Sequence, residues 1–189
     1  MVKLALFASG SGSNVKNIIE YFSDKNDVEV VLVCSNKVNA GALDHAKNAE
    51  IDYFVFNKQE FNNTELVEQA LDLKNVDFVV LAGFLLMVPE KFIAKYSDKI
   101  VNVHPSLLPK FGGKGMYGAN VHKAVAEAKE TESGITIHLV NEKYDDGRIA
   151  FQAIVDTTGD DASQIEAKVR ALEIKHFPRI IHKLVKNEI

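Results

Sequence analysis

Asn102 and His104 stand two residues apart in the run Ile100-Val101-Asn102-Val103-His104-Pro105-Ser106-Leu107-Leu108-Pro109. In an extended strand, residues two apart project from the same face. A neutral amide donor beside an imidazole suits stabilisation of a developing oxyanion, and the imidazole can also carry a proton near neutral pH. Pro105 and Pro109 would stiffen the chain where it leaves the strand. Such a site needs a group to orient the histidine, and a carboxylate is the usual choice. Asp145, in Tyr144-Asp145-Asp146-Gly147, falls at an expected turn between strands. By residue type alone, the same turn also fits two solvated acids, and His104 also fits a buried histidine that caps its own loop.

A second constellation lies near the start, in Ser9-Gly10-Ser11-Gly12-Ser13-Asn14. Glycines there permit positive φ and a close approach of ligand to backbone. Free N–H groups at the start of a following helix, with the helix dipole, make an anion site. The hydroxyls of Ser11 and Ser13 and the Asn14 amide add neutral donors, so a phosphate is the natural guest. No Lys-Ser or Lys-Thr pair follows, which argues against a nucleoside-triphosphate loop. Val15 occupies the place of the third glycine of a dinucleotide fingerprint, which argues against a pyrophosphate. A monophosphate ester remains, with a plain serine-capped turn as the alternative.

Other chemistries find little support. The single cysteine, Cys34, ends the apolar run Val30-Val31-Leu32-Val33 and reads as a buried thiol, with no partner for a disulfide or a cysteine metal cluster. The six histidines lack metal-binding spacing, so no metal is expected. His122 and His182 read as surface or half-buried structural residues on helices. His138, mid-strand, fits either a core position or the wall of a site. The net charge of −4, with no basic block, disfavours nucleic acid as the main partner.

These residues need a scaffold to bring them together. With 189 residues, 47% hydrophobic and 25% charged, the chain suits one globular domain spanning residues 1–189. No apolar stretch approaches the roughly 20 residues that span a bilayer, and the N-terminus reads as a buried strand and not a signal peptide, so a cytoplasmic location is expected. Short apolar runs at Val2–Ala8, Val28–Cys34, Phe78–Ala82 and Ile100–Val103, with a weaker one at Tyr53–Phe56, alternate with amphipathic stretches. That alternation predicts an α/β fold, a mostly parallel central sheet with helices on both faces. Helices are expected over Val15–Phe22, capped by Ser13-Asn14, and over Ala42–Ala49, Thr64–Leu73, Glu90–Tyr96 with Pro89 in its first turn, and Asn120–Lys129. Gly134–Val140 and Ile149–Asp156 predict an antiparallel C-terminal addition. Ser163-Gln164-Ile165-Glu166 fits a capping box opening a long helix that Pro178 should kink or split. The stretch His104–Gly118 is a long loop, more often functional than idle, leaving a buried strand where α/β sheets place ligands.

Taken in order, five motifs resemble one family, the phosphoribosylglycinamide formyltransferases, also called glycinamide ribonucleotide transformylases, of purine biosynthesis. They are Ser9-Gly10-Ser11-Gly12-Ser13-Asn14, Leu81-Ala82-Gly83-Phe84, Asn102-Val103-His104-Pro105-Ser106-Leu107-Leu108-Pro109, Gly134-Ile135-Thr136-Ile137-His138, and the spaced set Asp145, Gly147, Ile149, Gln152. The resemblance implies a Rossmann-like formyltransferase fold with Asn102, His104 and Asp145 as the catalytic trio. It implies that Gly12, Ser13 and Asn14 hold the substrate phosphate and that Glu173 meets the ribose. It assigns folate contacts to Leu85, Leu86, Met87 and Val88, with Asn102 adjoining, and to Thr64, which stands where the family often has an arginine. The implied co-substrate is 10-formyltetrahydrofolate, the acceptor glycinamide ribonucleotide, and the assembly a monomer or homodimer without nucleic-acid or membrane partners. The implied reaction is direct attack of the amine through a tetrahedral intermediate. A formyltetrahydrofolate hydrolase shares that chemistry but usually carries a further N-terminal domain. A methionyl-tRNA formyltransferase would need a more basic RNA-binding part. A non-catalytic phosphate-binding module would leave the Asn102–His104–Asp145 set unexplained.

Overall fold

Along the first strand, β1 (Val2–Ala8), Leu4, Leu6 and Ala8 join the apolar core on one face of the sheet and Ala5 and Phe7 the core on the other. All five are fully buried. A strand buried on both faces must be covered by helices on both, the condition under which parallel sheets occur. The computed structural model, which describes residues Met1–Ile189, meets it with β2 (Val28–Ser35), β3 (Tyr53–Val55), β4 (Phe78–Leu81) and β5 (Ile100–His104) parallel to β1. β6 (Glu132–Leu139) and β7 (Ile149–Asp156) add in antiparallel fashion, and the strand order is β3-β2-β1-β4-β5-β6-β7. The order reverses between β1 and β4, so the connections leaving those strands diverge and open a crevice at their C-terminal ends.

One core packs helices α1 (Ser13–Phe22), α2 (Gly41–Asn48), α6 (Ala119–Glu127) and α7 (Ala162–Val185) against the sheet, through Val15, Leu43, Val125 and Phe177 among others. The opposite core gathers α3 (Lys58–Asn63), α4 (Glu65–Leu73) and α5 (Glu90–Lys95). Its centre is aromatic. Phe84 meets Phe7 and Phe61 edge-on at 5.4 and 5.3 Å, which fixes the start of the segment leaving β4.

Several element ends differ from expectation, each for a local reason. The first helix starts at Ser13 with Gly12 as its N-cap in the left-handed region, so Ser13 and Asn14 lie inside it. Pro89 is the N-cap of α5 and not its first-turn residue. Helix α3 was not anticipated, although Asn57 and Glu60 form the reciprocal capping box that announces it. The capping box of α7 is Asp161 with Gln164, upstream of the expected serine. Nor does Pro178 split α7, which runs unbroken to Val185. Proline at this position deprives the carbonyl of Ile174 of its helical donor. Asn17 of α1 supplies the replacement, its side-chain N–H donating to Ile174 O at 2.9 Å. Asn17→Ala is therefore expected to cost about 1 kcal/mol, lowering the thermal midpoint by about 2–4 °C. An unchanged midpoint in thermal unfolding would show that water serves that carbonyl equally well. No helix is long and apolar enough to cross a membrane.

Candidate active site

A cavity of about 630 Å³ occupies the crevice. The glycine loop and the start of α1 form one wall, and Leu81–Val88 form another. β5 contributes Asn102 and His104, the long loop contributes Gly113–Gly118, the β6–β7 connection contributes Asn141–Asp145, and α7 contributes Glu166, Arg170 and Glu173.

At the centre, Asn102, His104, His138 and Asp145 converge. β5 and β6 pair antiparallel with Asn102 opposite His138, so the two side chains share a face. The Asn102 amide donates to His138 Nε2 at 3.1 Å, and His138 Nδ1 lies 3.2 Å from Leu139 O. A carbonyl only accepts, so Nδ1 carries the hydrogen and Nε2 offers its lone pair to Asn102. Burial holds His138 below the usual imidazole range and keeps it in this neutral form, against the opposing pull of the Leu139 carbonyl and Asp145. A carboxamide has two N–H hydrogens, so Asn102 keeps one for a ligand.

His104 is buried, and its Nε2 donates to Phe111 O at 2.8 Å. This bond orients the ring and assigns the hydrogen to Nε2. Nδ1 then carries the ring's free lone pair, and it faces Asp145 Oδ1 at 3.5 Å. The same oxygen lies 3.7 Å from His138 Nε2, while Asp145 Oδ2 accepts from Gly113 N–H at 2.8 Å. The carboxylate was expected to orient His104. The geometry gives that task to a loop carbonyl and leaves Asp145 as a nearby charge that also anchors the loop. Asp145 adopts φ 51°, a region Asp tolerates better than most residues. The turn closes only because Gly147 lacks a side chain: a Cβ there would lie 1.6 Å from Leu139 O.

At the glycine loop, Gly12 has φ 78° and packs against α2, and the first N–H groups of α1 open onto the cavity. Asn14 departs from expectation. Its side-chain N–H donates to Glu173 Oε2 at 2.7 Å, so only its backbone N–H remains for an anion, and its Oδ1 is buried without a partner. Burial raises the Glu173 carboxyl above the usual range, partly offset by Asn14. Glu173 presents its carboxyl oxygens to the cavity, a match for a ligand's hydroxyl groups.

The wall from Leu85 to Val88 exposes Leu85 and Met87 by nearly half, and the backbone N–H groups of Leu86, Met87 and Val88 make no hydrogen bond. An apolar surface edged with free backbone donors suits a flat heteroaromatic ring. Thr64 does not join this wall. It is fully buried at the junction of α3 and α4 with φ 62°, its backbone N–H bonded to Glu60 O, and it lies outside the cavity lining. Against expectation, Thr64 is therefore out of reach of a folate bound in this cavity.

Three residues of the cavity carry little signal in the sequence. By sequence His138 fits core or site equally, and its pairing with Asn102 depends on the β5–β6 register. His122 was expected at or near the surface, yet it is buried in the cavity lining with Nδ1 unpartnered. Its spacing with Val121 and Val125 on α6 was the available signal. Arg170 joins the lining because it lies one turn before Glu173 on α7.

Burial lowers both His122 and His138 below the ordinary imidazole value. The unfolded chain, titrating near pH 6.5, then takes up protons that the fold refuses. This contribution to stability is complete above about pH 7 and declines as pH falls through about 6.5. Glu173, whose carboxyl is raised, acts oppositely, but as one group against two. The urea midpoint should be lower at about pH 5.5 than at about pH 7.5, and a midpoint that rises on acidification would contradict the assignment.

Residues 2–181 match the sequence profile of the family described as formyl transferase. The phosphoribosylglycinamide formyltransferase of Haemophilus influenzae is 36% identical over 187 residues, covering 96% of this chain and 86% of that protein. The chloroplastic phosphoribosylglycinamide formyltransferase of Arabidopsis thaliana is 43% identical over 92% of this chain, and that of Vigna unguiculata 39% over 99%. The chain spans only 61% and 62% of the lengths of these two plant relatives. The crystal structure of phosphoribosylglycinamide formyltransferase from Bacillus halodurans superposes with a TM-score of 0.88 at 33% identity, over 99% of this chain and 97% of that one.

Proposed function

The chain belongs to the formyl transferase family, and from that premise we propose that it transfers the formyl group of 10-formyltetrahydrofolate to the amine of 5'-phosphoribosylglycinamide, a step of de novo purine biosynthesis. The observation that carries this reading is the approach of His104 Nδ1 to Asp145 Oδ1 at 3.5 Å, with Asn102 alongside, between a phosphate cradle and an apolar wall. The reading treats residues 1–189 as one catalytic domain, supported by the single sheet that all seven strands share. A cytoplasmic setting belongs to the same proposal.

The start of α1 receives the phosphate on its free N–H groups, with the Ser13 hydroxyl beside them. Glu173, held by the Asn14 amide, accepts hydrogen bonds from the ribose hydroxyls. Leu85 and Met87 cover the pterin face, and the backbone of Leu86–Val88 meets its polar edge. Bound there, formyl-folate supplies the electrophilic formyl carbon. Asn102 offers its second amide hydrogen to the oxyanion of the tetrahedral intermediate. His104 Nδ1 takes the proton lost by the attacking amine and returns it to the departing folate nitrogen. The Asp145 carboxylate, 3.5 Å away, faces the positive charge the ring carries in between. Holding two reactants in line supplies much of the remaining rate.

The test mixes the protein with formyl-folate, with and without glycinamide ribonucleotide, and follows deformylated folate by absorbance. Amine-dependent release is expected. Amine-independent release would identify a hydrolase, and no release in either case would leave a binding module.

A further inference from the structure

A buried hydroxyl joins the two substrate-holding walls. Ser9 follows the last residue of β1 and is only 2% exposed. Its backbone N–H donates to Gly83 O at 3.0 Å. Its hydroxyl accepts from Leu85 N–H at 3.0 Å and donates to Asn36 Oδ1 at 2.6 Å. Connections leaving three neighbouring parallel strands, β2, β1 and β4, thus meet at one oxygen atom. By residue type, a serine opening a glycine loop reads as another phosphate donor. Here its hydrogen is committed to Asn36, and its burial keeps it from the ligand.

The position of this bond gives it its role. Beyond Ser9 the chain becomes the glycine cradle, and beyond Leu85 it becomes the wall with unbonded N–H groups at Leu86, Met87 and Val88. β1 and β4 flank the switch point, where the two connections part company. The Ser9–Leu85 contact is the only side-chain hydrogen bond between residues 9–14 and 83–88. We infer that Ser9 is a positioning residue, whose hydroxyl sets the separation of the two walls and so the alignment of amine and formyl carbon. This inference rests on the transferase reading above. Ser9 touches neither substrate, so its loss should leave each half-site able to bind its own ligand while the two reacting atoms fall out of line. Alignment errors of about 1 Å cost rate up to about 100-fold.

Ser9→Ala is therefore expected to lower kcat per folded molecule by about 10-fold or more, with both KM values within about 3-fold of wild type. Ser9→Thr, which restores the hydroxyl, should recover most of kcat. Amide hydrogen exchange at Leu85 should quicken in Ser9→Ala and return to normal in Ser9→Thr. If Ser9→Ala does not fold, Asn36→Ala removes the acceptor that orients the hydroxyl and should lower kcat in the same selective way. An active wild type with an unaffected kcat in the folded variant, or a loss carried wholly by one KM, overturns the inference alone. A wild type without amine-dependent release overturns the transferase reading, and the alignment role falls with it.

Discussion

Asp145→Asn is expected to lower kcat by about 10³-fold while leaving fold and ribonucleotide affinity close to wild type. The substitution is nearly isosteric, and asparagine tolerates the φ of 51° at this position. The hydrogen bond from Gly113 N–H, 2.8 Å from Oδ2, needs only an acceptor, and the asparagine oxygen supplies it. The amide nitrogen must then take the place of Oδ1, which faces His104 Nδ1 at 3.5 Å and His138 Nε2 at 3.7 Å. The variant thus loses the carboxylate charge that faces the ring during proton transfer, and it points a donor at the lone pair that should accept the proton. Asp145→Ala would also release the loop at Gly113, so Asp145→Asn separates charge from anchoring. Steady-state turnover with both substrates, beside calorimetry of ribonucleotide binding, makes the measurement. Near-normal turnover in Asp145→Asn would reduce the residue to a loop anchor.

Much of this site was legible because its parts follow from local rules. Asn102 and His104 share a face by strand periodicity, and an anion cradle follows from glycines ahead of a helix. The alternation of apolar runs and amphipathic stretches was enough for the sheet and its helical layers. What stayed hidden depends on pairing between distant segments. The neutral state of His138 follows from its burial and its place opposite Asn102 in the β5–β6 ladder. The orienting partner of His104 is a backbone carbonyl, at Phe111, which has no residue-type signature. Asn14 reads as a phosphate donor until α7 brings Glu173 within 2.7 Å. Thr64 misled for the converse reason. A family position was carried over without its surroundings, and the junction of α3 and α4 turns that side chain inward.

Gly12→Ala should damage the ribonucleotide half of the site selectively, raising the KM for that substrate by about 100-fold with a smaller effect on the KM for formyl-folate. Gly12 sits at φ 78°, where a side chain costs about 1–2 kcal/mol. Space is the larger obstacle. A Cβ would lie 2.4 Å from Ala42 Cα and 2.8 Å from Ala42 N, both backbone atoms at the start of α2. Ala42 N–H is itself bonded to Gly10 O at 3.2 Å, so α2 cannot retreat without drawing the glycine loop with it. The first N–H groups of α1 would shift from the positions that suit a phosphate. Overpacking and strain together should cost about 2–4 kcal/mol, a fall in thermal midpoint of about 5–15 °C. Gly10→Ala is the control for stability, since a Cβ at Gly10 meets nothing within 4 Å. If Gly12→Ala matched that control in midpoint and bound ribonucleotide normally, the close packing of the loop on α2 would have no part in holding the phosphate.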